Sequence, residues 1–169
     1  CTAVPLSVRQ TPENRVRRDK RGMQYTTEIK VRYAETDQMG IVHHSRYFPW
    51  FEVARTEFLE EYGIQYGELE KQGVMFPLIK AQAEYHQGAK YGDTVLVKVQ
   101  MKELRIVRCQ LIYEVIRKAD GALLVTGLTE HAFVDSATFQ PINLKKKQPM
   151  VWRQLEKALE KESNDAKVK

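Results

Sequence analysis

The chain has little of what covalent or cofactor chemistry usually requires. Its 169 residues include two cysteines, Cys1 and Cys109, too few for a disulfide framework or a cysteine-rich metal cluster. Such usage fits a reducing compartment, and a cytoplasmic location is the expectation. Nine glycines are present, yet they form no glycine-rich phosphate loop. No apolar run approaches the roughly 20 residues needed to span a bilayer, so membrane insertion is not expected. Histidine is scarce too, with four in all, and the adjacent pair His43-His44 lacks a second cluster of ligands. Neighbouring side chains diverge, so no metal site is expected.

Charge is plentiful but unevenly placed. The formal net charge is +5, with +4 carried by residues 1–22 and +4 by residues 145–169, leaving −3 on 23–144. A basic nucleic-acid footprint on the folded body is therefore excluded, and a nucleic-acid partner is not expected. Residues 1–22 contain Pro5, Pro12 and an Arg/Lys cluster without hydrophobic periodicity. They read as a disordered or non-native leader, with Met23 as the natural start and an Arg-rich transit remnant as the alternative. One domain is expected over 23–148, followed by a C-terminal helix and charged tail over 149–169.

What is present is a clear change of hydrophobic period. Tyr25 to Tyr33 alternates as a half-buried strand, with Tyr25, Thr27, Ile29, Val31 and Tyr33 on one face. A helix begins between Ser45 and Pro49, with Ser45 as N-cap. Trp50, Phe51, Ala54, Phe58, Leu59 and Tyr62 form its wide apolar stripe, and Gly63 ends it. A short helix over Tyr66 to Gln72 follows. Strands are expected over Phe76 to Tyr85, Thr94 to Glu103, Val107 to Val115 and Leu123 to Asp135, the last central in the sheet. Gly88 to Gly92 reads as a turn, Asp120-Gly121 is a hairpin signal and Gln140 to Gln148 a polar connection. Cys109 falls on an inward position and reads as core. Strand, long helix and then strands make an α+β layout, the helix packed on one antiparallel sheet.

Chemistry is concentrated between the first strand and the helix. Asp37 sits three residues before Gly40, which allows a sharp turn and close approach of a ligand. A carboxylate there has the reach of a general base or a nucleophile. Unpaired amides in the first helical turn, at the positive end of the helix dipole, suit an oxyanion. Against this stand the ordinary readings, in which Asp37 is a turn residue and His43 and His44 lie on the surface.

The run Tyr33-Ala34-Glu35-Thr36-Asp37-Gln38-Met39-Gly40-Ile41-Val42-His43-His44-Ser45-Arg46-Tyr47-Phe48, followed by Trp50-Phe51-Glu52-Val53-Ala54-Arg55, resembles the signature of the 4-hydroxybenzoyl-CoA thioesterase family. It is most similar to that family's bacterial acyl-CoA thioesterase branch, and the likeness extends over about residues 25–144. The resemblance implies a hotdog fold, an antiparallel sheet wrapped around one long central helix, and a homodimer or homotetramer with sites at subunit interfaces. It implies hydrolysis of an acyl-CoA to free acid and CoA without a further cofactor. Asp37 matches the catalytic carboxylate, His44 the position whose backbone amide holds the thioester carbonyl, and Tyr33 a tyrosine lining the site. Gly40, Ile41, Val42 and His43 are expected to bind substrate. His43 departs from the aromatic residue common among relatives, which bears on the acyl preference. Lys90, Arg105 and Arg108 are the candidates for CoA phosphates, being the cation types that pair well with them. An acyl carrier protein thioester as substrate, or a non-catalytic acyl-CoA-binding protein, are the alternatives. Tethering to an anionic membrane or nucleic acid rests on the basic ends alone.

Overall fold

In the computed structural model, which describes residues 25–165, the chain begins with β1 (Tyr25–Lys30), α1 (Tyr47–Glu61) and α2 (Tyr66–Lys71). Then come β2 (Val74–Met75), β3 (Leu78–Tyr85), β4 (Thr94–Arg105), β5 (Arg108–Arg117), β6 (Leu123–Ala132) and β7 (Val134–Asp135). The chain closes with α3 (Leu144–Lys147) and α4 (Pro149–Asp165). The leader expected over 1–22 lies outside the described residues. Five strands form one antiparallel sheet in the order β1-β4-β5-β6-β3, while β2 and β7 make a separate ribbon. This is the α+β layout expected.

Period-two patterning decides which face of the sheet is covered. Val95, Val97 and Val99 of β4 are fully buried, as are Leu111, Tyr113 and Val115 of β5 within a few per cent. Against that face lies α1, burying Trp50, Phe51, Ala54, Phe58 and Leu59, the stripe read from the sequence. Helix α4 packs against β4 and buries Val151, Trp152, Leu155 and Ala158. Each large apolar side chain removed from water in this way contributes about 1.5–3 kcal/mol. Cys109 is core as expected, and burial pushes its thiol up to about 12. Gly63 ends α1 at φ +79°, its N–H on the Glu60 carbonyl.

Several boundaries differ from the expectation, each for a local reason. The first strand stops at Lys30, and Tyr33–Glu35 coils into a 3-10 turn because the Glu35 carboxylate accepts the Arg32 N–H at 2.8 Å. Ser45 is not the N-cap. His43 caps a 3-10 turn over His44–Arg46, accepting the Ser45 N–H on its ring nitrogen, and α1 starts at Tyr47. The strand expected over Phe76 to Tyr85 is broken at Phe76-Pro77, where proline has no N–H for a ladder. The strand expected over Leu123 to Asp135 ends at Ala132, and Val134–Asp135 turns aside to pair with β2. β6 is interior, paired on both sides, but β5 holds the middle of the sheet. Leu144–Lys147 makes a helical turn within the polar connection, capped by the Asn143 side chain.

One close approach fixes how α1 seats on the sheet. Phe51 stacks on Tyr113, centroids 4.4 Å apart, with its ring tip over Gly127. A Cβ at Gly127 would collide with that ring, and Phe51 is fully buried with nowhere to retreat. Gly127→Ala is therefore expected to lower stability by roughly 1–3 kcal/mol, the usual cost of overpacking a filled core. Urea unfolding of the two proteins measures it.

Candidate active site

Glu35, not singled out from the sequence, anchors the loop between β1 and α1. Its side chain is buried at 3% exposure and accepts three donors: the Arg32 N–H, Arg32 Nη2 at 3.1 Å and Trp50 Nε1 at 3.0 Å. Its carbonyl accepts the His43 N–H at 2.8 Å. Burial pushes the carboxyl upward, but the donated hydrogen bonds outweigh it and hold Glu35 below the usual carboxylate range. Both ends of the loop, and the first turn of α1, are thus tied to one residue.

Between those ties the chain forms a tight hairpin. Thr36 and Val42 make an isolated bridge, the Asp37 N–H reaches the Ile41 carbonyl at 2.8 Å, and the Gly40 N–H reaches the Asp37 carbonyl at 3.0 Å. Gly40 adopts φ +78°, the turning role its position suggested. Asp37 Oδ1 accepts the Met39 N–H at 2.8 Å, which fixes the orientation of the carboxylate. The opposite wall is the Gly88-Ala89 turn. Ala89 receives the Val42 N–H at 2.8 Å, and Arg117 donates to the Gly88 carbonyl at 3.0 Å while pairing with Asp93 and Asp120. A Cβ at Gly88 would collide with Ile41, so the two walls touch there.

A cleft of about 280 Å³ opens between these walls, lined among others by Asp37, Ile41, Val42, His44, Tyr47 and Tyr85. His44 opens the 3-10 turn, so its N–H has no acceptor within that turn. The His43 carbonyl accepts the Arg46 N–H at 2.9 Å, which aims the His44 N–H of the same peptide away from the turn. Tyr85, at the end of β3, donates to the His44 carbonyl at 2.9 Å and meets both the His44 and Tyr47 rings edge-on. Burial pushes the Tyr85 phenol above its ordinary value, so it stays a donor. The rings of His43 and His44 lie 4.0 Å apart, and His43 Nδ1 is taken up by Ser45.

The structure brings Asp37, Gly40, Ile41, Val42 and His44 together, with His43 behind them as a cap. It does not bring Tyr33 there: that ring is 76% exposed and packs edge-on against Tyr91 instead. Strand β1 ends before Tyr33, and the 3-10 turn swings the ring outward. Lys90 is exposed on the turn beyond Gly88, its N–H held by Asp93. Arg105 and Arg108 close the β4–β5 hairpin, whereas β1 runs into the loop beside Thr94, at the opposite end of β4. They are also engaged, Arg105 with Glu103 at 2.7 Å and Arg108 with Glu130 at 3.0 Å. Within one chain these two do not belong to the cleft. Besides Glu35, sequence reasoning missed Tyr47, Tyr85 and Arg117. Glu35 carried a faint signal, an acid two residues before Asp37, but its partner Trp50 lies fifteen residues on. Among the described residues no cluster of three or more His, Cys, Asp or Glu is placed to hold a metal, and none of the helices is long and apolar enough to cross a membrane.

Comparison with known proteins bears on this arrangement. Residues 31–155 match the sequence profile of the thioesterase-like superfamily. YneP of Bacillus subtilis, named as an inferred acyl-CoA thioesterase, is 37% identical over 122 residues, 72% of this chain and 88% of its own. The acyl-CoA thioesterase YbgC of Haemophilus influenzae is 28% identical over 119 residues, 70% of this chain and 86% of its own. Among solved structures, the DHNA-CoA thioesterase of Staphylococcus aureus superposes with a TM-score of 0.78 at 34% identity, covering 85% of this chain and 95% of that one.

The buried Glu35 carboxylate makes stability depend on acid. Its folded-state value lies below the unfolded one, so it stabilises the fold above the unfolded value, and this is lost as pH falls through the folded value. Glu35→Gln is expected to cost about 1–3 kcal/mol at neutral pH, since the amide cannot accept all three donors. The gap should narrow in acid, which denaturation at pH 7 and pH 4 measures.

Proposed function

Because this chain belongs to the thioesterase-like superfamily and carries its hotdog fold, we propose that it hydrolyses an acyl-CoA thioester to the free acid and CoA. The observation that carries this reading is that the Asp37 carboxylate and the start of the α1 segment at His44 line one cleft. In the proposed mechanism the thioester carbonyl oxygen faces the His44 N–H, where charge builds in the transition state. Removing one such donor typically costs on the order of 10²–10³ in rate. Asp37 either takes a proton from water as that water attacks the acyl carbon, or attacks it directly and forms an anhydride that water then opens. In both routes the C–S bond breaks, the sulfur leaves with the electron pair and takes a proton, and the acid is released. Tyr85 positions this segment by holding the His44 carbonyl. Tyr33 we leave at the rim rather than among the reacting groups.

The unpaired edge of β3 supports assembly into a homodimer, itself able to pair further into a homotetramer. Leu78, Ile79 and Tyr85 there are each about half exposed, the kind of edge a second strand covers. Twofold antiparallel pairing along β3 would carry the second copy's β4–β5 hairpin, with its Arg105 and Arg108, toward the Asp37 cleft. That offers the two arginines, together with Lys90, a route back to the CoA phosphates. The cysteine usage supports a cytoplasmic setting for this reading.

Thiol release from short, medium, long and aromatic acyl-CoAs tests the reading, with Asp37→Asn alongside. Wild-type turnover that falls by roughly 10³-fold or more in the variant, the oligomer intact, is the expected result. Turnover unchanged in Asp37→Asn would remove Asp37 from the mechanism. A wild type inert toward every CoA ester would shift the reading to a carrier-protein thioester or to binding alone.

A further inference from the structure

Helix α1 carries a cation into the interior. Arg55 is largely buried, its Nε donating to the Tyr66 hydroxyl at 3.2 Å and its Nη1 to the Tyr113 hydroxyl at 3.4 Å. The Tyr113 hydroxyl shares a 2.7 Å hydrogen bond with Thr129 Oγ1, which lies 3.1 Å from His131 Nε2. His131 Nδ1 in turn faces the Phe76 carbonyl at 3.3 Å. Burial, with Arg55 nearby, pushes His131 down to about 4, so the imidazole is neutral. Every partner of the guanidinium is therefore uncharged. A guanidinium partly withdrawn from water is often matched by a carboxylate, and among the described residues Arg55 has none. Glu130, between Thr129 and His131, points to the other face of the sheet, where Arg108 and Gln110 hold it. Arg55 Nη2 is neither hydrogen-bonded nor sealed from solvent, so one edge of the fork stays open.

Strand β3 runs from the cleft toward the Arg55 network. Tyr85 faces α1, since it contacts Tyr47 and His44, so Ala83 and Ala81 face the same way. Ala81 pairs with Thr129, the residue beside the guanidinium network. Two alanines in succession leave a low floor along the flank of α1. From Tyr85 to Ala81 that floor runs about 13 Å, and from Tyr47 to Arg55 the helix rises about 12 Å. The two lengths match, so the alanine face of β3 and the α1 segment from Tyr47 to Arg55 span the same distance from the cleft.

We propose that a lane along this floor holds the acyl chain of the substrate and that Arg55 receives a carboxylate at its far end. The favoured substrates are then thioesters of dicarboxylic acids, with the second carboxylate at the terminus of a medium-length chain. This deepens the thioesterase reading and rests on it. A guanidinium meets a carboxylate through two parallel N–H donors, and with Tyr66 and Tyr113 holding Nε and Nη1 the fork is already oriented. Glu52, one turn earlier on α1, is exposed and unpaired with Arg55, so water screens its repulsion.

The test compares kcat/KM for suberoyl-CoA, which ends in a carboxylate, with octanoyl-CoA, which ends in a methyl. The wild type is expected to favour suberoyl-CoA by roughly tenfold or more, the value of one charge-assisted contact. Arg55→Gln should collapse that ratio, whatever it does to stability or to absolute rate. Should Arg55→Gln fail to fold, Ala81→Leu on the exposed edge strand reads the lane: both esters should lose kcat/KM relative to acetyl-CoA. A wild type that favours octanoyl-CoA overturns the proposal while leaving the thioesterase reading intact. So does a ratio unmoved in Arg55→Gln, or an Ala81→Leu that leaves chain-length preference unaltered. Loss of the oligomer in Arg55→Gln with the ratio preserved would assign the guanidinium to a second copy instead. A wild type inactive toward every CoA ester overturns both readings at once.

Discussion

A carboxylate cannot be taken out of water without donors to replace the water it loses, and Glu35 is where this chain meets that requirement. Three donors converge on it from two parts of the chain, two from Arg32 and one from the Trp50 indole of α1. The consequence is mechanical. A loop that would otherwise fray is pinned to the helix that follows it, and His43 is tied to the Glu35 carbonyl on the way back. Asp37, Gly40 and the His44 amide all lie inside the span so closed. Their geometry is set before any ligand arrives, which is the condition under which fixed dipoles stabilise developing charge most cheaply.

The second wall of the cleft is set by the sheet. Arg117 braces the Gly88 turn from the end of β5, and Tyr85 reaches from the end of β3 to the His44 carbonyl. Tyr85 therefore belongs to two structures at once, a sheet edge with an unpaired side and the segment that presents the His44 amide. Whatever covers that edge bears directly on the site. The same strand supplies the low floor of Ala83 and Ala81 on the α1 side of the sheet, so one edge strand serves both the His44 segment and the proposed acyl lane.

Much of this was legible in the residues. The alternation of Val95, Val97 and Val99, the aromatic stripe of α1 and the stop at Gly63 are local patterns, and each element formed where its period placed it. The turn at Gly40 and the helical start near His44 were also legible, because the two lie within eight residues of Asp37. Contacts between distant parts of the chain were not. Glu35 received no role from the sequence, because nothing nearby reveals that Trp50 will donate to it. Tyr33 continued a strand alternation that the Glu35 cap interrupts, so its ring went to the wrong place. Arg105 and Arg108 were chosen by charge alone, and charge does not say which end of a hairpin a residue occupies. Arg55 received no role from the sequence, since its phenol partners come from α2 and β5.

If the loop carrying Asp37 owes its geometry to the Glu35–Trp50 contact, losing that contact lowers turnover and not stability alone. Trp50→Phe probes it directly, because it removes one donor from Glu35 while keeping an aromatic ring against Tyr47. Acyl-CoA thiol release by that variant, measured well below its melting temperature, is the decisive quantity. The expected result is a kcat reduced about tenfold or more with the fold intact, as a misplaced catalytic group would give. A wild-type kcat in a protein that only melts earlier would contradict it.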